Sequence, residues 1–158
     1  MGKELANAYP VVAQAFQDTD TLYHKSGQKA LSQTIFPIPV FSNEERKSQQ
    51  KVLTQTQHAQ PAIGTLSMGQ YNLLKQAGFQ ADFTAGHSFG ELPALWAAGV
   101  YDEATFLALA KARGEAMALQ NPSADPGTMM AVKAPQEQVQ QAIASIPGVS
   151  IANVNSNN

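Results

Sequence analysis

The stretch Ala85-Gly86-His87-Ser88-Phe89-Gly90-Glu91 holds a G-x-S-x-G pattern between a short apolar run, Phe83 to Ala85, and a helix-like run, Leu92 to Val100. Small residues flanking a serine at the end of a strand allow a very tight strand-to-helix turn. A bulky side chain at Gly86 or Gly90 is expected to clash there, and the turn pushes the hydroxyl into the open above the sheet. The following helix aims its N-terminal N–H groups at the same spot, where they can receive a developing oxyanion. On this reading Ser88 is a nucleophile on an elbow. A second reading needs no chemistry: Ser88 and Glu91 also spell S-x-x-E, the capping box, in which the serine caps the helix and the glutamate reaches back. That reading leaves Gly86, His87 and Gly90 unexplained.

Downstream of the elbow, Pro93 falls in the first turns of the next helix, where its missing N–H is tolerated, and Gly99 ends that helix. Asp102 is expected to cap a helix from Glu103 to about Leu119. Phe106, Leu109, Ala110, Arg113 and Met117 follow an i, i+3, i+4, i+7, i+11 rhythm and are expected to face inward. Arg113 then lies on an apolar stripe, where it must either snorkel outward or find a carboxylate, since an unpaired buried charge costs several kcal/mol. Asn121 to Gly127, with two prolines and a glycine, reads as a boundary. Beyond it the pattern gives a strand (Thr128 to Lys133), a helix started by Pro135 (Val139, Ala142, Ile143, Ile146) and a second strand (Val149 to Val154). A β-α-β unit that stops at its second strand lacks partners to bury both faces, so the chain reads as truncated.

Upstream, Met1 to Leu5 reads as a short helical piece, and Pro10 suits the first turn of a new helix with Val12, Phe16 and Tyr23 on its apolar face. Ser26 to Phe41 reads as irregular. Ser42 or Asn43 caps a polar helix, Glu44 to Leu53, and Thr54 to Gln60 reads as a connector. Pro61 is expected to open a helix bearing Ile63, Leu66, Tyr71, Leu73, Leu74 and Ala77, with Gly78 at the C′ position. Phe79 to Ala85 then leads into the elbow as a strand.

Length and composition bound these readings. A chain of 158 residues with 44% apolar and 14% charged residues is globular, with room for one sizeable core. A net charge of −2 argues against nucleic acid as the main partner. No apolar run approaches the ~18 residues needed to span a bilayer, and no signal peptide is evident, so a cytoplasmic location is expected. There is no cysteine and there are only three scattered histidines, so neither a disulfide framework nor a metal site is expected.

Taken together, Gly86 to Glu91 followed by Leu95-Trp96-Ala97-Ala98-Gly99-Val100 resembles the malonyl-CoA:acyl carrier protein transacylases and the acyltransferase domains of polyketide synthases. Three segments, Ala59-Gln60-Pro61-Ala62, Ala85 to Val100 and Ala110-Lys111-Ala112-Arg113-Gly114, are most similar to the acyltransferase domain of polyunsaturated fatty acid synthases. The resemblance runs from Met1 to about Ser156. It implies an α/β fold: a parallel sheet with flanking helices, an incomplete α/β-hydrolase-like acyltransferase core over residues 1–127. The first β-α-β of a small ferredoxin-like subdomain is implied over 128–158.

The resemblance also implies roles. Ser88 attacks the thioester of malonyl-CoA, and the acyl group passes to the phosphopantetheine thiol of an acyl carrier protein, with ping-pong kinetics. The Phe89 N–H is one oxyanion donor. Arg113 pairs with the free carboxylate of the malonyl unit, Gln60 lies near the acyl pocket, and His87 shapes that pocket. A bulky apolar residue at 89 goes with malonyl over methylmalonyl. No metal or redox cofactor is implied; the partners are acyl-CoA, the carrier protein and other domains of a multidomain synthase. The chain departs from the family in two places. The family's G-Q-G-S-Q segment, which supplies a second oxyanion donor, is expected before Met1, and its general-base histidine beyond Asn158. His24 and His58 match no family position. A serine esterase or thioesterase with the same elbow, and a non-catalytic interaction module, are the alternative readings.

Overall fold

The first helix, α1 (Lys3–Ala8), stops because Tyr9 precedes a proline. Steric clash with the pyrrolidine ring drives Tyr9 to an extended backbone, φ −126° and ψ 113°. Pro10 then occupies the first position of α2 (Pro10–Lys25), whose buried residues Val12, Phe16, Thr19 and Tyr23 recur at helical spacing. The computed structural model describes residues 2–118 and 127–156, in two units, Met1–Gln120 and Asn121–Asn158.

The span expected to be irregular contains a short helix, α3 (Leu31–Ile35). Its initiator is distant in sequence. Asp20 on α2 accepts the Ser32 N–H at 2.9 Å and the Ser32 hydroxyl at 2.5 Å, satisfying orphan groups of the first turn. Ser42 caps α4 (Asn43–Thr54) by accepting from the Glu44 and Glu45 N–H groups, as its sequence context requires.

The central element is α5 (Thr56–Gln76), which packs against α2, α3 and α4 and against two helices that follow it, α6 (Glu91–Ala97) and α7 (Glu103–Ala118). The expected connector through Gln60 is therefore helical, and Pro61 sits inside the helix instead of opening it. A proline there removes one backbone hydrogen bond. Close packing compensates: Pro61 is fully buried, and Thr65 Oγ1 donates to its carbonyl at 2.8 Å.

Two apolar clusters lie on either side of α5. Val12, Phe16, Tyr23, Leu31 and Ile35 surround Ala62 and Leu66. Trp96, Phe106, Leu107, Ala110 and Ala15 surround Met68. Trp96 stacks on Phe106 with ring centroids 5.4 Å apart. Burying a side chain such as Phe106 contributes about 1.5–3 kcal/mol.

Asp102 accepts the Thr105 N–H at 2.8 Å and starts α7 as expected. The buried face of α7 differs from the expected one. It carries Phe106, Leu107, Ala110 and Gly114, while Leu109 and Met117 are 40% and 49% exposed. Gly114 explains the rotation: a Cβ there would lie 3.0 Å from the Thr56 carbonyl oxygen and 3.1 Å from Gln57 Cα. Any larger residue would force the α5 backbone to give way, so the glycine favours the close approach that accompanies the inward turn of the 107–114 face.

No residue among those described belongs to a strand. The expected strands at Phe79–Ala85, Thr128–Lys133 and Val149–Val154 contribute no ladder among the described residues, and Phe83, Met129 and Met130 are 94%, 83% and 82% exposed. A strand needs a neighbour to take its backbone N–H and C=O groups, and none among the described residues pairs with these segments. In the second unit, α8 (Gln136–Ile143) follows Pro135, which stands at the N-cap; Ile146 lies beyond the helix and is half exposed. The expected boundary at 121–127 falls mostly outside the described residues. No helix among the described residues is long and apolar enough to cross a membrane.

Candidate active site

Ser88 is the only described non-glycine residue with a positive φ, +56°. The left-handed conformation costs a residue with a Cβ roughly 1–2 kcal/mol and persists only where the surroundings impose it. Here the chain doubles back on itself. A Cβ on Gly86 would lie 1.9 Å from the Gly90 carbonyl oxygen and 2.6 Å from the Glu91 nitrogen, so position 86 admits nothing larger than hydrogen. Gly90 differs from expectation: its φ is −60°, and a Cβ there would meet nothing within 4 Å. The turn needs the Gly90 backbone as the surface that Gly86 closes on, not the absence of a side chain at 90.

The turn itself is one 3-10 turn, Ser88–Gly90, running directly into α6. Gly90 N–H donates to the His87 carbonyl at 2.9 Å, and Glu91 N–H donates to the Ser88 and Phe89 carbonyls. The Phe89 N–H lies in the first turn, where helical N–H groups have no partner within the helix. No capping hydrogen bond comes from Ser88: Gly90 stands at the N-cap of α6 and His87 at that of the 3-10 turn, neither with a side-chain cap. The S-x-x-E sequence is therefore not a capping box in the fold.

Several contacts hold the elbow on the helical core. Thr84 Oγ1 donates to the Ala94 carbonyl at 2.8 Å, tying the segment before the elbow to the helix after it. The Tyr101 hydroxyl donates to the Leu92 carbonyl at 2.5 Å, and burial pushes its pKa up. Below the turn, the Phe89 ring packs onto the Trp96–Phe106 cluster over Gly64, where a Cβ would meet Phe89 Cζ at 3.1 Å and Phe106 Cζ at 3.2 Å.

Across from the elbow, Arg113 reaches in from α7. Its Nη2 donates to Ser88 Oγ at 3.3 Å and its Nη1 to Gln60 Oε1 at 2.6 Å. Gln60 is buried on α5, and its Nε2 donates to Met117 Sδ at 3.1 Å. Arg113 neither snorkels free of the fold nor pairs with a carboxylate among the described residues; the one ion pair there is Lys111–Glu115, at 2.7 Å.

The structure thus brings Ser88, Arg113 and Gln60 together and places the Phe89 N–H on the same turn. His87 is exposed, and none of His24, His58 and His87 hydrogen-bonds to Ser88. Sequence reasoning missed Met117 as a partner of Gln60, Thr84 and Tyr101 as braces, and Gly64 and Gly114 as the seam between α5 and α7. The two glycines carried a usable signal. Each costs about 1 kcal/mol against alanine inside a helix, which marks a close backbone approach.

Comparison with known proteins places this geometry in context. The profile of the acyl transferase domain family, described as "Acyl transferase domain", matches residues 1–158. A malonyl CoA-acyl carrier protein transacylase of Synechocystis sp. is 44% identical over 114 residues, 72% of this chain and 38% of that protein. A polyunsaturated fatty acid synthase polypeptide from a Thraustochytrium species is 31% identical over 99% of this chain but only 6% of its own length. The crystal structure of the acyl-carrier-protein-S-malonyltransferase from Bartonella henselae superposes with a TM-score of 0.62 at 32% identity, covering 75% of this chain and 35% of that one. The chain therefore spans little more than a third of the transacylases it matches. A profile match through all 158 residues leaves no segment unaccounted for: the chain belongs to the acyl transferase domain family.

Proposed function

We propose that this chain carries the nucleophile-bearing part of an acyltransferase that moves a malonyl-type group from CoA to the phosphopantetheine thiol of an acyl carrier protein, within fatty acid or polyketide synthesis. The observation that carries this reading is the Arg113 guanidinium: without a carboxylate partner among the described residues, it lies 3.3 Å from the hydroxyl of a serine held at positive φ. A fixed, planar cation beside a nucleophile favours an acyl group that brings its own carboxylate.

In the first step Ser88 Oγ attacks the thioester carbonyl, giving up its proton to a base. The carbonyl oxygen, negative in the tetrahedral intermediate, receives the Phe89 N–H, and the C–S bond breaks to release CoA as the thiol. In the second step the carrier thiol attacks the acyl-serine ester, and Ser88 recovers its proton. Arg113, steadied by Gln60, orients the acyl carboxylate through both steps, and His87 borders the pocket. The base is expected outside these 158 residues, as is the second oxyanion donor. None of these steps requires a metal or redox cofactor. The helical core is then part of an α/β acyltransferase core, with residues 79–85 a strand of a parallel sheet and a ferredoxin-like subdomain beginning at 128. Acyl-CoA, the carrier protein and neighbouring synthase domains are the partners, in the cytoplasm.

Incubation with malonyl-CoA or acetyl-CoA, followed by intact mass and peptide mapping, tests this. A malonyl adduct on Ser88 that forms in preference to acetyl, with the preference lost in Arg113→Ala, is the expected result. Equal acylation by both donors, unaffected by Arg113→Ala, favours an esterase instead.

A further inference from the structure

The Gln60 side-chain amide sits between two groups of opposite capacity. Arg113 Nη1 donates to its oxygen at 2.6 Å, and its nitrogen donates to Met117 Sδ at 3.1 Å. A guanidinium has only donors, and a thioether sulfur can only accept. Each neighbour therefore dictates one end of the amide, and the two demands agree. Gln60 is 9% exposed, so solvent is a poor substitute for either partner. Met117 stands one turn beyond Arg113, and residues four apart share one face of a helix. Met117 itself is 49% exposed, so burial alone does not hold its side chain against Gln60.

We propose that Met117 is a positioning residue: its thioether fixes the Gln60 amide with Oε1 toward Arg113, and so holds the guanidinium beside Ser88. A flipped amide would set an NH2 group against the guanidinium, donor facing donor. Nη1 would then lose its acceptor, and the guanidinium would be free to rotate away from the nucleophile. A leucine at 117 fills much the same space but offers the amide nothing. The consequence for acyl selection rests on the function proposed above; the orientation of the amide does not.

Met117→Leu, Met117→Gln, Gln60→Ala and the double variant Gln60→Ala/Met117→Leu separate the possibilities in the full chain. Two readouts are followed, acylation of Ser88 against malonyl-CoA concentration and the side-chain amide NMR resonances of Gln60. Met117→Leu is expected to move those resonances and to raise the half-saturating malonyl-CoA concentration about threefold to tenfold, with a smaller change in the maximal rate. Met117→Gln presents an amide oxygen as acceptor and restores both. The double variant is no worse than Gln60→Ala alone. The proposal is overturned if Met117→Leu leaves the Gln60 resonances in place, or raises half-saturation by the same factor in the Gln60→Ala background. If malonyl-CoA leaves no adduct on Ser88 even when the chain is joined to the rest of an acyltransferase domain that supplies the base, the functional reading falls and the amide resonances alone decide the positioning role.

Discussion

Gly64 lies directly beneath Phe89: a Cβ added at 64 would come within 3.1 Å of the ring edge. Phe89, the residue next to Ser88 and the proposed oxyanion donor, is thus seated through its own side chain on the central helix. Gly64→Ala gains helix propensity of about 1 kcal/mol but must displace Phe89 or Phe106, an overpacking cost of about 1–3 kcal/mol. The expected outcome is a modest loss of stability together with a fall in Ser88 acylation of up to about tenfold, if the shift of the Phe89 ring is passed to its backbone N–H, the proposed oxyanion donor. Thermal unfolding and acylation rates of the same variant check this. A stable variant with unchanged acylation would separate Phe89 from the elbow.

Gly114 makes the same kind of contact one helix away, against the backbone of Thr56 and Gln57. Since backbone cannot swing aside as a side chain can, Gly114→Val is expected to push α7 outward, costing about 3 kcal/mol and weakening the neighbouring Arg113–Gln60 hydrogen bond. Gly114→Ala should show a smaller version of both effects, read by denaturant midpoint and by malonyl over acetyl selectivity.

Strain at Ser88 predicts a trade of function for stability. Glycine adopts φ near +56° without a Cβ penalty, offset in part by its greater freedom in the unfolded chain. Ser88→Gly should therefore be about 0.5–1 kcal/mol more stable than Ser88→Ala, with both incapable of forming an acyl adduct. Equal stabilities would show that the positive φ carries little strain.

His58 and Glu115 both contribute to the response to acid. Burial pushes the His58 imidazole below its usual 6.5, and its Nδ1 is buried without a hydrogen-bond partner among the described residues. The unfolded chain then binds the proton first as pH falls from about 6.5, so stability declines across that window. Glu115 is held below 4.5 by the hydrogen bonds from Lys111 and Gln28. Its contribution is present above the unfolded value and is lost as pH falls through the lower folded value. Denaturant midpoints measured between about pH 8 and pH 2.5 should fall in two stages, with His58→Leu flattening the upper one and Glu115→Gln the lower.

Because no histidine among the described residues hydrogen-bonds to Ser88, acylation of the chain by itself is expected to be slow, and transfer to carrier protein slower still. Loss of the base in a serine hydrolase costs about 10⁶ in turnover. Transfer at an ordinary enzymatic rate by residues 1–158 would overturn this expectation.

What could be read from the residues alone were features that depend on near neighbours. Pro10 starting α2, Ser42 and Asp102 capping α4 and α7, and Gly78 and Gly99 at positive φ after their helices all act within a turn of themselves. The elbow belongs here too, since Gly86 closes on Gly90, four residues away. The order of elbow, Arg113 and Gln60 carried the family resemblance.

Tertiary packing decided the rest. The α3 helix is started by Asp20, 12 residues before Ser32, and α5 continues through Pro61 where buried neighbours replace a missing hydrogen bond. The inward face of α7 was set by the closest approach Gly114 allows to α5, which turned Leu109 and Met117 outward. The residues themselves set which groups could do chemistry, because the tight turn at Ser88 and the charge of Arg113 are local properties. How they meet depended on the fold. Arg113 and Ser88 are 25 residues apart and Gln60 is 53 from Arg113, so only the packing of α7 on α5 sets the guanidinium between the amide and the hydroxyl.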